Sequence, residues 1–95
     1  MPLLKGEYLG IRFGRRVCVF TMRNVGEPVT FVASWELMDD LAGGVAKKND
    51  QRDAQFVRLR PQLEEIAQRR YNQFPDDQRP QEIILTAQDR RLLLR

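Results

Sequence analysis

Cys18 is the single cysteine of a 95-residue chain that contains no histidine. A thiolate with an imidazole base, a Ser–His pair and a thiolate zinc site are therefore excluded in their usual forms. Carboxylates remain for acid–base work. Asp39–Asp40 and Asp76–Asp77 are adjacent pairs, but sequence neighbours diverge on a helix and are solvated in a loop, whereas a catalytic acid and base must converge on one reacting atom. Glu64 and Glu65 have partners at helical spacing, Arg60 with Glu64 and Glu65 with Arg69, each pair worth a few tenths of a kcal/mol on a helix surface. Gly43–Gly44 with Lys47–Lys48 lacks the glycine spacing and following helix phase of a phosphate cradle, so we read it as a helix stop. Cys18 reads as a small buried hydrophobe rather than a reactive thiol. Trp35 reads as an anchor between a helix and the sheet edge. We expect no catalytic residue, no cofactor and no metal ligand, and hence no enzyme.

Sixteen basic and 13 acidic residues leave a net charge of +3, an excess too small and too interspersed to call for a polyanion; it favours solubility. With 42% hydrophobic residues, a chain of this length buries somewhat more than roughly 60% of its unfolded surface, enough for one domain without metal or disulfide support. We expect a single domain over 1–95 with its core in 7–89. No run has the length and apolarity of a signal peptide or membrane span, and the lone cysteine rules out an intrachain disulfide framework, so a reducing cytoplasm is the expected location.

The element that organises the chain is a long helix carrying Phe56, Leu59, Leu63, Ile66 and Ala67 at steps of three, four and seven, one apolar face with Arg58, Gln62, Glu65 and Arg69 outside it. Asn49 or Asp50 is the expected cap, with Asp53 in the first turn. Pro61 costs roughly 3 kcal/mol in a helix interior. The apolar stripe nevertheless keeps its phase across it, which predicts one kinked helix rather than two.

Upstream, EYLGIRF alternates, with Leu9, Ile11 and Phe13 on one side and Tyr8 and Arg12 on the other, as a strand does. A type II′ turn at Gly14–Arg15 sets Ile11 opposite Cys18, Gly10 opposite Val19 and Leu9 opposite Phe20. A third strand follows the turn Asn24–Val25–Gly26–Glu27, with Phe31 opposite Phe20 and Pro28 at its start. Ser34 caps a short helix, WELMDDLA, and Gly43–Gly44 ends it. Downstream, EIILT is a buried strand, and Thr86 to Asp89 resembles a capping box that opens a closing helix over 87–94. The order predicts an α+β, two-layer domain: an antiparallel sheet of three to four strands with two main helices packed on one face.

That register sends Val17, Val19, Thr21, Thr30 and Val32 to the face turned away from the helices, more apolar than a solvated antiparallel sheet normally shows. We therefore expect an interaction module, either a homodimer through these five residues or a complex with an unidentified protein partner. The C-terminal RLLLR turn is the competing cover. Val19→Lys is expected to separate two chains without harming the core. The alternative class is a weak nucleic-acid-binding accessory or regulatory protein using Arg12, Arg15, Arg16 and Arg23 at the hairpin ends. We rank it lower, because only Tyr8 accompanies them as an aromatic neighbour.

Three stretches, VTFVASWELMDDL, LEEIAQRRY and EIILTAQD, resemble the bacterial family described as domain of unknown function 1488, over roughly the span from Leu9 to Asp89. The resemblance implies a small soluble α+β protein of unassigned activity, with no catalytic residues to carry over. Arg90 departs from the pattern, in which an apolar residue tends to follow the aspartate; this bears on how the C-terminus docks.

Overall fold

A computed structural model describes residues 3–44, 46 and 48–93, with side chains other than those of Phe13, Asn49 and Asp76. Four strands, β1 (Leu4–Arg12), β2 (Val17–Asn24), β3 (Glu27–Ser34) and β4 (Glu82–Leu85), form one sheet in the order β1-β2-β3-β4. Helices α1 (Trp35–Ala42) and α2 (Asn49–Asn72) lie between β3 and β4 in the chain, and a 3-10 helix, Ala87–Leu93, closes it. The two-layer α+β architecture is as expected.

The sheet is not wholly antiparallel, because β4 runs parallel to β3, with Phe31 opposite Ile83 and Ala33 opposite Leu85. A parallel pair needs a long crossover, and α2 supplies it. Its 24 residues span about 36 Å and return the chain to the end of the sheet where β3 began. Asn24 Nδ2, in the β2–β3 turn, donates to Tyr71 Oη near the C-terminus of α2 at 2.7 Å.

The helix stripe is buried as its spacing predicts: Phe56, Leu63, Ile66 and Ala67 have no exposed surface and Leu59 is 5% exposed. Each large member stabilises the fold by about 1.5–3 kcal/mol. They meet Cys18, Phe20, Met22, Val29, Phe31, Ala33, Ile83 and Leu85 from the sheet in one core cluster. Phe20 lies opposite Phe31 as expected, their ring centroids 5.6 Å apart, and Phe56 leans against Phe20 at 5.4 Å. Pro61 sits inside one continuous α2. It is exposed, as is Val57 one turn earlier, so the interruption that Pro61 makes in the helical hydrogen bonding lies on the solvent side of α2. The cap of α2 is Lys48, one residue before Asn49 and two before Asp50. Gln51 Oε1 accepts from the Lys48 N–H at 3.3 Å, which places Asp53 beyond the first turn.

Two local expectations fail in β1 for one reason. Gly10 and Ile11 pair with Val19 and Cys18 as read, but Tyr8, not Leu9, lies opposite Phe20, because the register shifts between Tyr8 and Gly10. One extra residue in a strand reverses every side chain beyond it. Tyr8 therefore turns into the core, stacked on Phe56 with centroids 4.1 Å apart, while Leu9 is 43% exposed. The β1–β2 connection is a four-residue loop, a 3-10 turn at Phe13–Arg15 followed by Arg16 at φ 54°, rather than a type II′ pair. The β2–β3 turn is as predicted, with Asn24 opposite Glu27 across Val25 and Gly26.

Ser34 Oγ accepts from the Leu37 N–H at 3.1 Å, and Gly43 ends α1 in a left-handed conformation at φ 73°. Thr86 and Asp89 form half of the expected capping box: the Thr86 N–H donates to Asp89 Oδ2 at 2.8 Å, but the Asp89 N–H donates to the Thr86 carbonyl at 2.9 Å rather than to its hydroxyl. The closing helix packs on α1 and α2, with Leu92 and Leu93 against the core. Its described part therefore does not fold over the opposite face of the sheet; Leu94 and Arg95 lie outside the described residues, as does Lys47 of the glycine–lysine stretch.

Candidate functional site

The face of the sheet away from α1 and α2 carries the five residues singled out from the sequence, but not as a contact surface. Val17 and Val19 are 6% exposed and Val32 is fully buried, forming a small apolar cluster separate from the main core. Thr30 is half-buried. Thr21 is occupied within the sheet, its Oγ1 accepting from the Glu7 N–H at 3.0 Å. Here β1 approaches so closely that a Cβ at Gly6 would collide with the Thr21 carbonyl, so glycine is required there. The five residues make a floor. Leu9 and Ile84 stand beside it at 43% and 47% exposure. Glu82 shares the face, since Ile83 and Leu85 alternate inward. Arg15 Nη1 lies 3.7 Å from Glu82 Oε1, tying the β1–β2 turn to the far edge strand on this side. Val19→Lys would place its charge at a buried position, so it tests folding as well as association; substitutions at Leu9 and Ile84 address the surface.

At the end of the sheet where α1 begins, Arg15, Arg16, Ser34, Trp35, Glu36, Asp39, Asp40, Ala46 and Arg52 line a cleft of about 740 Å³. Its floor is a polar knot that ties α1 to α2. Arg52, 5% exposed, donates through Nη1 to Asp39 Oδ1 and to Gln55 Oε1, both at 2.7 Å, and through Nη2 to the Ala46 carbonyl at 3.2 Å. Its guanidinium carbon lies 4.6 Å from the centre of the Trp35 ring. Gln55 Nε2 donates to the same Asp39 oxygen at 3.1 Å. Burial on its own would raise the Asp39 pKa, but the bonds from Gln55 and Arg52 outweigh it and hold the carboxyl below its ordinary 3.8. The Arg52 guanidinium, the Gln55 amide and Asp39 Oδ1 bond one another and the Ala46 carbonyl, an arrangement that holds structure rather than a reacting atom. Asp40 is exposed, so the Asp39–Asp40 pair does not converge. The side chain of Asp76 lies outside the described residues, and Asp77 is exposed. Glu64 and Glu65 hold Arg60 and Arg69 at 3.1 and 2.9 Å, as their spacing predicts.

Cys18 is fully buried. Tyr8 Oη donates to Asp53 Oδ1 at 2.6 Å and lies 3.6 Å from Cys18 Sγ, within reach of the same hydroxyl. Burial pushes the Cys18 thiol up, only partly offset by Tyr8 and by the nearby Trp35 indole. Burial, reinforced by the bond to Asp53, raises Tyr8 far above the phenol range. Neither group is set up as a nucleophile at neutral pH. Among the described residues, no three acidic or cysteine side chains are grouped to hold a metal ion.

The four arginines considered for nucleic acid do not share one surface. Arg12 lies opposite Val17 at one end of the hairpin, next to the turn that bears Arg15 and Arg16, whereas Arg23 lies between Leu4 and Pro28 at the other. Arg15 and Arg16 come together at the cleft; Arg12 turns back to the Leu9 and Ile11 carbonyls at 3.4 Å. The knot was not read from the sequence, although a signal existed: Arg52 and Gln55 continue the stripe of Phe56, Leu59 and Leu63 toward the N-terminus, and a polar residue on such a stripe must find partners inside.

No family model and no curated protein matches the chain. Among solved structures, a protein of unknown function from the DUF1488 family of Shewanella loihica PV-4 superposes with a TM-score of 0.74 at 19% identity, covering 88% of this chain and 91% of that one. The resemblance read from the sequence thus holds at the level of the fold, and it brings no activity with it. Among the described residues, no helix is long and apolar enough to cross a membrane.

Proposed function

We propose that this domain is a non-catalytic protein-interaction module of the bacterial cytoplasm that self-associates through the helix-free face of its sheet. The observation that carries this reading is the pair Leu9 and Ile84, 43% and 47% exposed beside the buried layer of Val17, Val19 and Val32. An outer sheet face is ordinarily polar, and large exposed side chains next to an apolar floor mark a place where another surface packs. Pairing edge to edge is the weaker option. β1 is interrupted by two register shifts and β4 has four residues, and irregular or very short edges resist added strands.

Sedimentation velocity from micromolar to millimolar concentration tests the reading. Wild-type protein is expected to pass from monomer to dimer. Ile84→Lys, at a half-exposed site, should melt close to wild type while associating at least about tenfold more weakly, because it sets a charge in the contact. A wild-type protein that stays monomeric throughout, or an Ile84→Lys variant that associates unchanged, overturns it.

A further inference from the structure

Arg15 and Glu82 are the charged groups tied together on the helix-free face. Their closest approach, 3.7 Å, is too long for a hydrogen bond, and both side chains are 53% exposed, so within one chain the pair adds little to the fold. Its position is more informative. Glu82 is two residues from Ile84 and points to the same face, so a basic and an acidic group lie together beside the exposed apolar side chain. A two-fold contact uses the same patch on both copies, each residue meeting its opposite number. A patch holding one charge of each sign is complementary to itself.

Building on the self-association proposed above, we infer that the two-fold axis of the dimer passes beside this pair. Arg15 and Glu82 of one copy then alternate with the partner's Arg15 and the partner's Glu82 in a ring of four charges. Leu9 and Ile84 supply adhesion, and the ring fixes the register of the two sheets. A pair that is weak alone gains from a second pair at the same place, because each arginine then has two carboxylates and each carboxylate two arginines.

Arg15→Glu and Glu82→Arg test this directly. Both sites are half-exposed, so both variants should fold, which thermal melts verify. Either variant alone gives a ring of four like charges, and its association is expected to fall at least about tenfold. Mixed in equal amounts, the two should recover wild-type association as a mixed dimer, since every contact between copies is then of opposite sign; native mass spectrometry separates that dimer by mass. Each reversal moves the net charge of +3 by two units, so both variants stay net positive and overall attraction cannot produce the recovery. If the mixture remains as weak as the separate variants while wild type dimerises, or if the variants dimerise unimpaired, the ring is wrong and the apolar contact stands. A monomeric wild type removes both.

Discussion

Ile66→Asp is expected to abolish cooperative thermal unfolding. Ile66 has no exposed surface and belongs to the cluster that joins α2 to the sheet. Removing a side chain of this size from a core costs about 2–5 kcal/mol, and an unpaired carboxylate in the same space adds several more or forces the site open to water. A chain of 95 residues holds a total of roughly 5–14 kcal/mol, so the change uses most or all of it. Circular dichroism should show a broad, non-cooperative melt. A sharp transition within a few degrees of wild type would mean that the α2 face does not carry the fold.

Asp39→Ala is expected to cost about 2–3 kcal/mol, a fall in melting temperature of roughly 10–20 °C for a domain of this size. The loss arises from what is left behind. The Arg52 side chain is 6% exposed, and without Asp39 its guanidinium keeps only the Gln55 and Ala46 oxygens as acceptors. The cost falls short of that of a fully buried pair because Asp39 is 21% exposed and water partly replaces it. Asp39→Ala with Arg52→Leu should lose less than Asp39→Ala alone, since no charge is then stranded. A single variant within about 0.5 kcal/mol of wild type would show that the knot is incidental. The pH dependence carries the same information. The Asp39 pKa is lowered in the fold, so its contribution is present above about pH 4 and is lost as pH falls through the folded value. Asp39→Asn should therefore flatten part of the acid limb of stability.

Where period and local chemistry agreed, the sequence was readable. The α2 stripe, the Ser34 cap, the Asn24–Glu27 turn and the Phe20–Phe31 pairing all depend on neighbours within a few residues or on one uninterrupted alternation. Tyr8 was misplaced because a single inserted residue between Tyr8 and Gly10 is invisible to a period-two reading and reverses the side chains before it as far as the second shift, between Lys5 and Tyr8. The direction of β4 was missed because it is decided by the length of α2 carrying the chain back along the sheet, not by anything within EIILT. Val17, Val19 and Val32 lie together on the helix-free side of the sheet, as a buried floor rather than an exposed surface. Alternation says which way Val17, Val19 and Val32 point, whereas the side chains that stand exposed around them come from the shifted strand β1 and the edge strand β4, and Arg15 meets Glu82 only in the folded chain.

Whether the helix-free face is the working surface is tested most directly by amide NMR spectra recorded over a dilution series. With association through that face, the resonances of Leu9, Arg15, Glu82 and Ile84 and their strand neighbours should move or broaden as concentration rises, while Arg58 and Gln62 on the exposed side of α2 stay fixed. Spectra that do not change with concentration, or changes confined to α1 and α2, would contradict it.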